Sequence, residues 1–178
     1  MLYIICFLIV VVVFILDMIS KYLCATNNID KAIIPHLLKF KYTTNEGAAF
    51  SFLSVYDWAI TFFSILTIIV LLGVIALNIY CILKKKKVSK WLAIALALIV
   101  GGALGNLVDR LSFGYVRDFI FVFYNTNIFP AIFNVADVAL VVGVIMVCIY
   151  LLFLDKDAIF KFKKEEKDGK EDNNDWRF

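Results

Sequence analysis

The chain has 178 residues, of which 63% are hydrophobic, and a mean hydropathy of +0.90. This composition excludes an ordinary water-soluble domain and indicates a membrane protein with several spans. The formal net charge of +3 excludes little by itself, but the positions of the charges along the chain are informative.

Four runs without charged residues could each supply most or all of the about 20 residues that a helix needs to span a bilayer. These runs are 1–16, 58–83, 91–108 and 138–154. The first run is short, so we expect Asp17 to Ser20 to complete it. A cleaved signal peptide is the alternative, but the start lacks a basic region and no small-residue cleavage site precedes Cys24. We therefore predict an all-α membrane protein, a bundle of four transmembrane helices.

Lysines indicate how the bundle is oriented. Five of them crowd the short gap between the second and third runs, at Lys84, Lys85, Lys86, Lys87 and Lys90. Because cytoplasmic loops carry an excess of basic residues, this gap and both termini are expected in the cytoplasm. Residues 155–178 mix seven basic with eight acidic side chains and few apolar ones, a composition that cannot bury a core. We predict a domain over 1–154 and a disordered cytoplasmic tail over 155–178.

The two segments that face outward in this topology are 22–57 and 112–133. Apolar and polar residues alternate over 38–43, which predicts a short strand, and Asn45-Glu46-Gly47 is typical of a turn. The second segment is rich in Phe and Tyr, which favour the membrane interface. Its only charges are Arg117 and Asp118. We expect a small extracytoplasmic β element and an interfacial segment.

Polar side chains gather where the first, third and fourth helices reach the outer boundary. They are Asp17, Lys21, Asn106, Asp109, Arg110, Asn134 and Asp137. The residues on each helix are three or four positions apart, so each set shares one helical face. Gly101 and Gly105 would let the third helix approach a neighbour closely. The pattern predicts that two polar faces meet at one level, where charged groups are costly and therefore often functional.

Several kinds of catalysis fit this sequence poorly. A metal site is not expected, because the only histidine, His36, lies in a loop and carboxylates alone would need more oxygens than the cluster guarantees. The four cysteines and the outer serines have no nearby base. Two carboxylates that share a proton, however, can act as base and acid in peptide hydrolysis. Spacing alone does not identify the pair.

Two other classes of function remain open at this point. A proton-coupled transporter also uses carboxylates in the membrane. Such a relay would need polar groups across the whole bilayer, and the inner halves of helices two to four are apolar apart from Asn78. A membrane scaffold could use Gly101 and Gly105 for helix pairing, but it would not explain the carboxylates.

Five motifs, in their order along the chain, closely resemble those of the bacterial lipoprotein signal peptidases (signal peptidase II). They are Asp17-Met18-Ile19-Ser20-Lys21, Asn45-Glu46-Gly47-Ala48-Ala49-Phe50, the ten residues 101–110, Val116-Arg117-Asp118-Phe119 and Phe133-Asn134-Val135-Ala136-Asp137. The resemblance covers about residues 1–154. It implies an intramembrane aspartic protease that removes the signal peptide from a diacylglyceryl-modified prolipoprotein, cutting before the lipid-bearing cysteine.

The resemblance implies that Asp118 and Asp137 form the catalytic dyad. Asn106 and Asn134 would orient the dyad or hold the substrate, Arg110 would stabilise the polar part of the site, and Asn45 would reach in from the outer segment. The family usually has Gln where this chain has Met18.

Simpler roles are open for several of these side chains. Asp17 and Lys21 are expected to form an i, i+4 ion pair, and Asp109 a buried counter-ion of Arg110 or Lys21. Without the resemblance, Asp118 could equally be an interfacial acid paired with Arg117. Asp137 could merely favour a helix N-terminus, a role that Asn134 would also serve.

The expected partners and location follow from the same resemblance. Lipid-modified prolipoproteins would be the substrates, and membrane phospholipid would surround the protein. We expect a monomer with no cofactor, no metal ion and no nucleic-acid partner. The expected location is the bacterial cell (inner) membrane, with the active site near the outer leaflet.

Overall fold

The computed structural model describes residues 1–46, 58–84, 88–124 and 131–154. Its elements in chain order are α1 (Leu2–Thr26), β1 (Asp30–Ile34), β2 (Leu38–Asn45), α2 (Ala59–Leu83), α3 (Lys90–Phe113), β3 (Val116–Val122), β4 (Ala131–Phe133) and α4 (Val135–Ile149), which continues as a π-helical segment, Tyr150–Leu154. Four helices are long and apolar enough to cross a membrane. The predicted tail and Gly47 of the predicted turn lie outside the described residues.

The apolar runs locate the helices well, but α1 continues beyond its run. It ends at Thr26, so Asp17 and Lys21 lie inside the helix, with more than a turn after Lys21. Both side chains are fully buried, whereas most of α1 exposes its apolar residues, as a lipid-facing helix does. The two charges therefore lie on the one face of α1 that packs against protein.

Helix α3 is the centre of the bundle. Half of its most apolar 18-residue stretch is buried, compared with about a tenth or less in the other three helices. Small residues make close packing possible: a Cβ on Gly101 would contact Val13 of α1, and one on Gly102 would collide with the carbonyl oxygen of Ala136 in α4. The predicted close approach of this helix is confirmed, and it involves two neighbours.

A four-stranded antiparallel sheet in the order β1-β2-β3-β4 joins the helices on the side where the polar residues lie. The predicted strand over 38–43 is confirmed and extends to Asn45. In the register of the sheet, Thr43 is opposite Asp118 and Asn45 is opposite Val116. Asn45 is therefore the last residue of β2, and the predicted turn continues outside the described residues. The aromatic segment contributes β3 and β4 to this sheet.

Two junctions fix how the sheet meets the helices. Helix α3 ends at Gly114, whose φ of 75° is a left-handed conformation that glycine adopts without strain. After this reversal the chain runs back beside α3 as strand β3. Strand β4 pairs with β3, with Phe133 opposite Ile120, and only Asn134 separates β4 from α4. The start of α4 is thus held beside β3.

Gly102→Ala should lower the free energy of unfolding by about 1–3 kcal/mol, because a Cβ there meets backbone that cannot move without separating α3 from α4. Gly73→Ala in α2 is the matched control, since no atom lies within 4 Å of its added Cβ; it should be neutral or stabilising by up to about 1 kcal/mol. Thermal unfolding in detergent measures both. Equal unfolding temperatures for the two variants would contradict the close approach.

Candidate active site

A cleft of about 560 Å³ opens between the C-terminal end of α3, the N-terminal end of α4 and the adjoining strands. Its polar lining consists of Asn45, Asn106, Arg110, Asp118 and Asp137. Much of the rest of the wall is apolar and includes side chains of β4 and α4. The two carboxylates named as the dyad thus line one cavity, although they are nineteen positions apart and on different elements.

Asp118 lies on β3 with only 2% of its surface exposed. Its Oδ2 accepts a hydrogen bond of 2.9 Å from the Asn45 side chain, and its Oδ1 accepts one of 2.7 Å from Asn134. Burial, followed by the nearby charge of Asp137, raises the pKa of Asp118 from 3.8 to about 6, although these two hydrogen bonds oppose the rise. This carboxyl therefore holds a proton more readily than an ordinary aspartate.

Asp137 occupies the first turn of α4 and takes part in a capping box. The Asn134 side chain accepts from the backbone N–H of Asp137 at 2.9 Å, and Asp137 Oδ2 accepts from the backbone N–H of Asn134 at 3.1 Å. Asp137 Oδ1 in turn accepts a 2.7 Å bond from Asn106 Nδ2. Asp137 therefore caps the helix and also lines the cleft, because one side-chain oxygen accepts from the Asn134 backbone and the other from Asn106.

Asn134 connects the two carboxylates. Its side-chain amide donates to Asp118 at 2.7 Å and to Asn106 Oδ1 at 3.1 Å, while its oxygen accepts from the Asp137 backbone. The side chain is fully buried. Because one asparagine bonds to both acids, the distance between them is fixed by the α4 cap.

Behind the cleft lies a buried ionic cluster, which we define as Asp17, Lys21, Asp109 and Arg117. Lys21 Nζ is 2.7 Å from Asp17 and 3.2 Å from Asp109. Arg117 donates to Asp109 through its side chain at 2.6 and 3.1 Å and through its backbone N–H at 3.0 Å. The cluster joins α1, α3 and β3, and Asp17 also accepts from the backbone N–H of Ala136 in α4 at 2.9 Å.

The structure distinguishes among the simpler roles considered from the sequence. The expected Asp17–Lys21 and Lys21–Asp109 contacts are both present. Arg117 bonds to Asp109 and not to Asp118, because consecutive residues of a strand point to opposite faces. Arg110 instead lies over the ring of Phe63, with 5.8 Å from Cζ to the ring centroid, and lines the cleft.

Three contacts of Arg117 were not expected from the sequence. Arg117 is the second cation on Asp109, and its guanidinium also stacks on the Phe113 ring at 4.7 Å. The same guanidinium lies 3.9 Å from the sulfur of Met18. A strand over 116–119 would place Arg117 and Asp118 on opposite faces, but no sequence signal pointed to Asp109 as the partner of Arg117.

The described ranges contain no group of three or more His, Cys, Asp or Glu side chains arranged to hold a metal ion. The cleft contains two carboxylates, and the rest of its wall is mainly apolar. Such a pair can take a proton from water and give one to an amide, provided that one acid is protonated. Fold and site together define a membrane protein of several spans with a carboxylate cleft at one end of its bundle.

Comparison with known proteins gives the family. A family model described as signal peptidase (SPase) II matches residues 9–153. Lipoprotein signal peptidases of Acinetobacter baumannii and Staphylococcus aureus are 41% and 40% identical, over 82% and 90% of this chain and 82% and 93% of their own lengths. The chain belongs to the signal peptidase II family and is a protease. The resemblance noted in the sequence is thereby confirmed.

Solved structures agree. A bacterial membrane enzyme determined by the in meso method at 2.3 Å superposes with a TM-score of 0.69 at 39% identity, covering 83% of this chain and 87% of its own. A second bacterial membrane enzyme, determined by the in meso method at 1.9 Å, superposes with a TM-score of 0.67 at 36% identity and covers 83% of this chain and 92% of its own. The predicted fold, a four-helix membrane bundle with a small β element, is confirmed.

Asp109→Asn should lower the free energy of unfolding by about 3–5 kcal/mol, because it leaves Lys21 and Arg117 buried without their shared counter-ion. Asp30→Asn is the matched control. Asp30 pairs with Lys39 on the exposed β1–β2 surface, where an ion pair contributes about 1 kcal/mol or less. Unfolding in detergent measures both, and similar losses would show that the ionic cluster adds no more than a surface pair.

Proposed function

We propose that this protein is an intramembrane aspartic endopeptidase that removes the signal peptide from diacylglyceryl-modified prolipoproteins, cutting before the lipidated cysteine. The observation that carries the proposal is that Asp118 and Asp137 line one cleft and bond to the same asparagine, Asn134. The names of the relatives, lipoprotein signal peptidases, support the class of substrate.

The surroundings of the two acids support a division of roles. Asp118, whose pKa is raised to about 6, would carry the proton that polarises the scissile carbonyl. Asp137 would accept a proton from the attacking water, with Asn106 and the α4 cap holding its oxygens. The resulting gem-diol would collapse as a proton passes to the leaving amine, so no covalent enzyme intermediate forms.

The walls of the cleft support binding of an apolar, extended segment. Asn45, Asn106 and Arg110 give the polar end groups that can bind a peptide backbone, while Val138 and Val141 of α4 extend the apolar wall. The substrate's signal helix would lie in the bilayer and its acyl chains among the lipid tails. Its scissile bond would reach the dyad in the outer leaflet.

Orientation and location belong to the same proposal. The lysines between α2 and α3 support a cytoplasmic position for that end of the bundle and for both termini. The sheet and the cleft would then face the outside of the bacterial cell membrane. The protein would act as a monomer, since both proposed catalytic acids come from one chain.

A proton relay through the bundle has less support. Asn78, the polar residue considered for an inner half of such a path, donates to the carbonyl of Val74 in its own helix at 2.8 Å. That bond satisfies the amide locally.

Asp118→Asn and Asp137→Asn should each lower cleavage of a lipidated precursor peptide at least about 1,000-fold, because either change removes one half of the acid–base pair. Both variants should remain folded in detergent, as size exclusion and thermal unfolding would show. Asp30→Asn, on the surface sheet, should cleave as the wild type does. The matched peptide without the diacylglyceryl group should stay intact, and normal turnover by either dyad variant would refute the assignment.

The dependence of kcat/KM on pH follows from the pKa of Asp118. If its protonated form is the active one, kcat/KM should fall as the pH rises through about 6, where Asp118 loses its proton. Asn45→Ala removes a bond that stabilises the ionised form, so this fall should move to higher pH. Asn27→Ala, whose amide bonds to Leu23 in α1, should leave it in place. A shift to lower pH in Asn45→Ala would contradict the role of Asp118.

A further inference from the structure

The Lys21 ammonium group is completely buried and forms ion pairs with Asp17 and Asp109. It also donates a hydrogen bond of 2.9 Å to the side-chain oxygen of Asn106. An ammonium has three donors and no acceptor. The bond to Asn106 links the ionic cluster to a residue that lines the cleft.

The hydrogen bond from Lys21 dictates the direction of the Asn106 amide. The oxygen and nitrogen of an asparagine side chain are assigned from their partners, and a donor-only partner leaves one choice. Because Asn106 Oδ1 must face Lys21, its Nδ2 faces Asp137 and donates to Oδ1 at 2.7 Å. If the amide were reversed, its oxygen would face a carboxylate oxygen.

We propose that Lys21 is a positioning residue for catalysis, which acts through Asn106 to keep Asp137 a hydrogen-bond acceptor and therefore ready to take a proton from water. This role rests on the proposed function, in which Asp137 is the base. Lys21 itself does not line the cleft and has no exposed surface, so it should affect the reaction step and not the binding of substrate.

Asn134 also helps to orient the Asn106 amide, and this contact does not depend on Lys21. Its amide donates to Asn106 Oδ1 at 3.1 Å, and its own direction is fixed by the backbone N–H of Asp137. Loss of the ammonium should therefore weaken the orientation of Asn106 without abolishing it. The expected effect is a partial loss of rate, unlike the loss of either dyad acid.

The test uses the full chain in detergent and a synthetic lipidated precursor peptide. Lys21→Ala should lower kcat about 10- to 100-fold, the usual effect of losing a group that orients a reacting one, with KM within about twofold of wild type. Asn106→Ala is the partner variant. Because Lys21 acts on Asp137 only through Asn106, the two changes should not add. The kcat of the double variant should be no more than about threefold below that of Asn106→Ala alone.

Ethylammonium supplies a second readout, because it can occupy the space that Lys21→Ala leaves. It should restore kcat to Lys21→Ala but not to the double variant, where no Asn106 amide remains to be oriented. If Lys21 were merely structural, the kcat losses of Lys21→Ala and Asn106→Ala would multiply in the double variant. Ethylammonium would then raise kcat equally in Lys21→Ala and in the double variant. Either result would overturn the proposal.

Two outcomes separate this inference from the proposed function. If wild-type protein does not cleave the lipidated peptide, the proposed function fails. If the wild type cleaves and Lys21→Ala keeps its kcat, only the role of Lys21 fails. Should Lys21→Ala not fold, the charge-balanced double variant Asp17→Asn/Lys21→Met takes its place, with the same expected loss of kcat and unchanged KM.

Discussion

The end of the bundle that carries the sheet and the cleft depends on the carboxylate of Asp109 in α3. It binds Lys21 from α1 and Arg117 from β3, so three elements meet at one fully buried acid. A buried charge that loses its partner is costly, which means that none of the three can move away independently. Asp118 follows Arg117 directly on β3, so the position of one proposed catalytic acid is set by an ion pair on the opposite face of its own strand.

The sequence predicted the helices because long apolar runs leave few other structures for them in a bilayer. It also predicted that the polar residues meet at one level of the bundle, because their positions along each helix place them near the same end. Strands β1, β3 and β4 were not predicted as strands, and the pairing of β2 with β3 joins segments that are far apart in the chain. Around 116–122 the residues are mostly aromatic or branched, without the alternation that identified β2.

Within the site, the sequence presented capping and chemistry as alternative roles for Asp137, and in the structure this residue takes part in the α4 capping box and also lines the cleft. Asn134 accepts from the α4 backbone while its amide reaches Asp118. The second partner of Asp109, Arg117, was not predicted, because its contact depends on a reversal of the chain. The left-handed turn at Gly114 returns β3 along α3, and only that reversal brings Arg117 to an acid eight positions earlier. Local patterns carry little information about such a return.

The buried ionic cluster also makes this part of the protein sensitive to the balance of its formal charges. The cluster contains two acids, Asp17 and Asp109, and two cations, Lys21 and Arg117, so its formal charges cancel. Replacing one member by a neutral residue leaves a net charge among buried groups, which is costly. Replacing one acid and one cation together keeps the cluster neutral. Substitutions at these four positions are therefore coupled, and a change at one of them is best tolerated with a matching change at another.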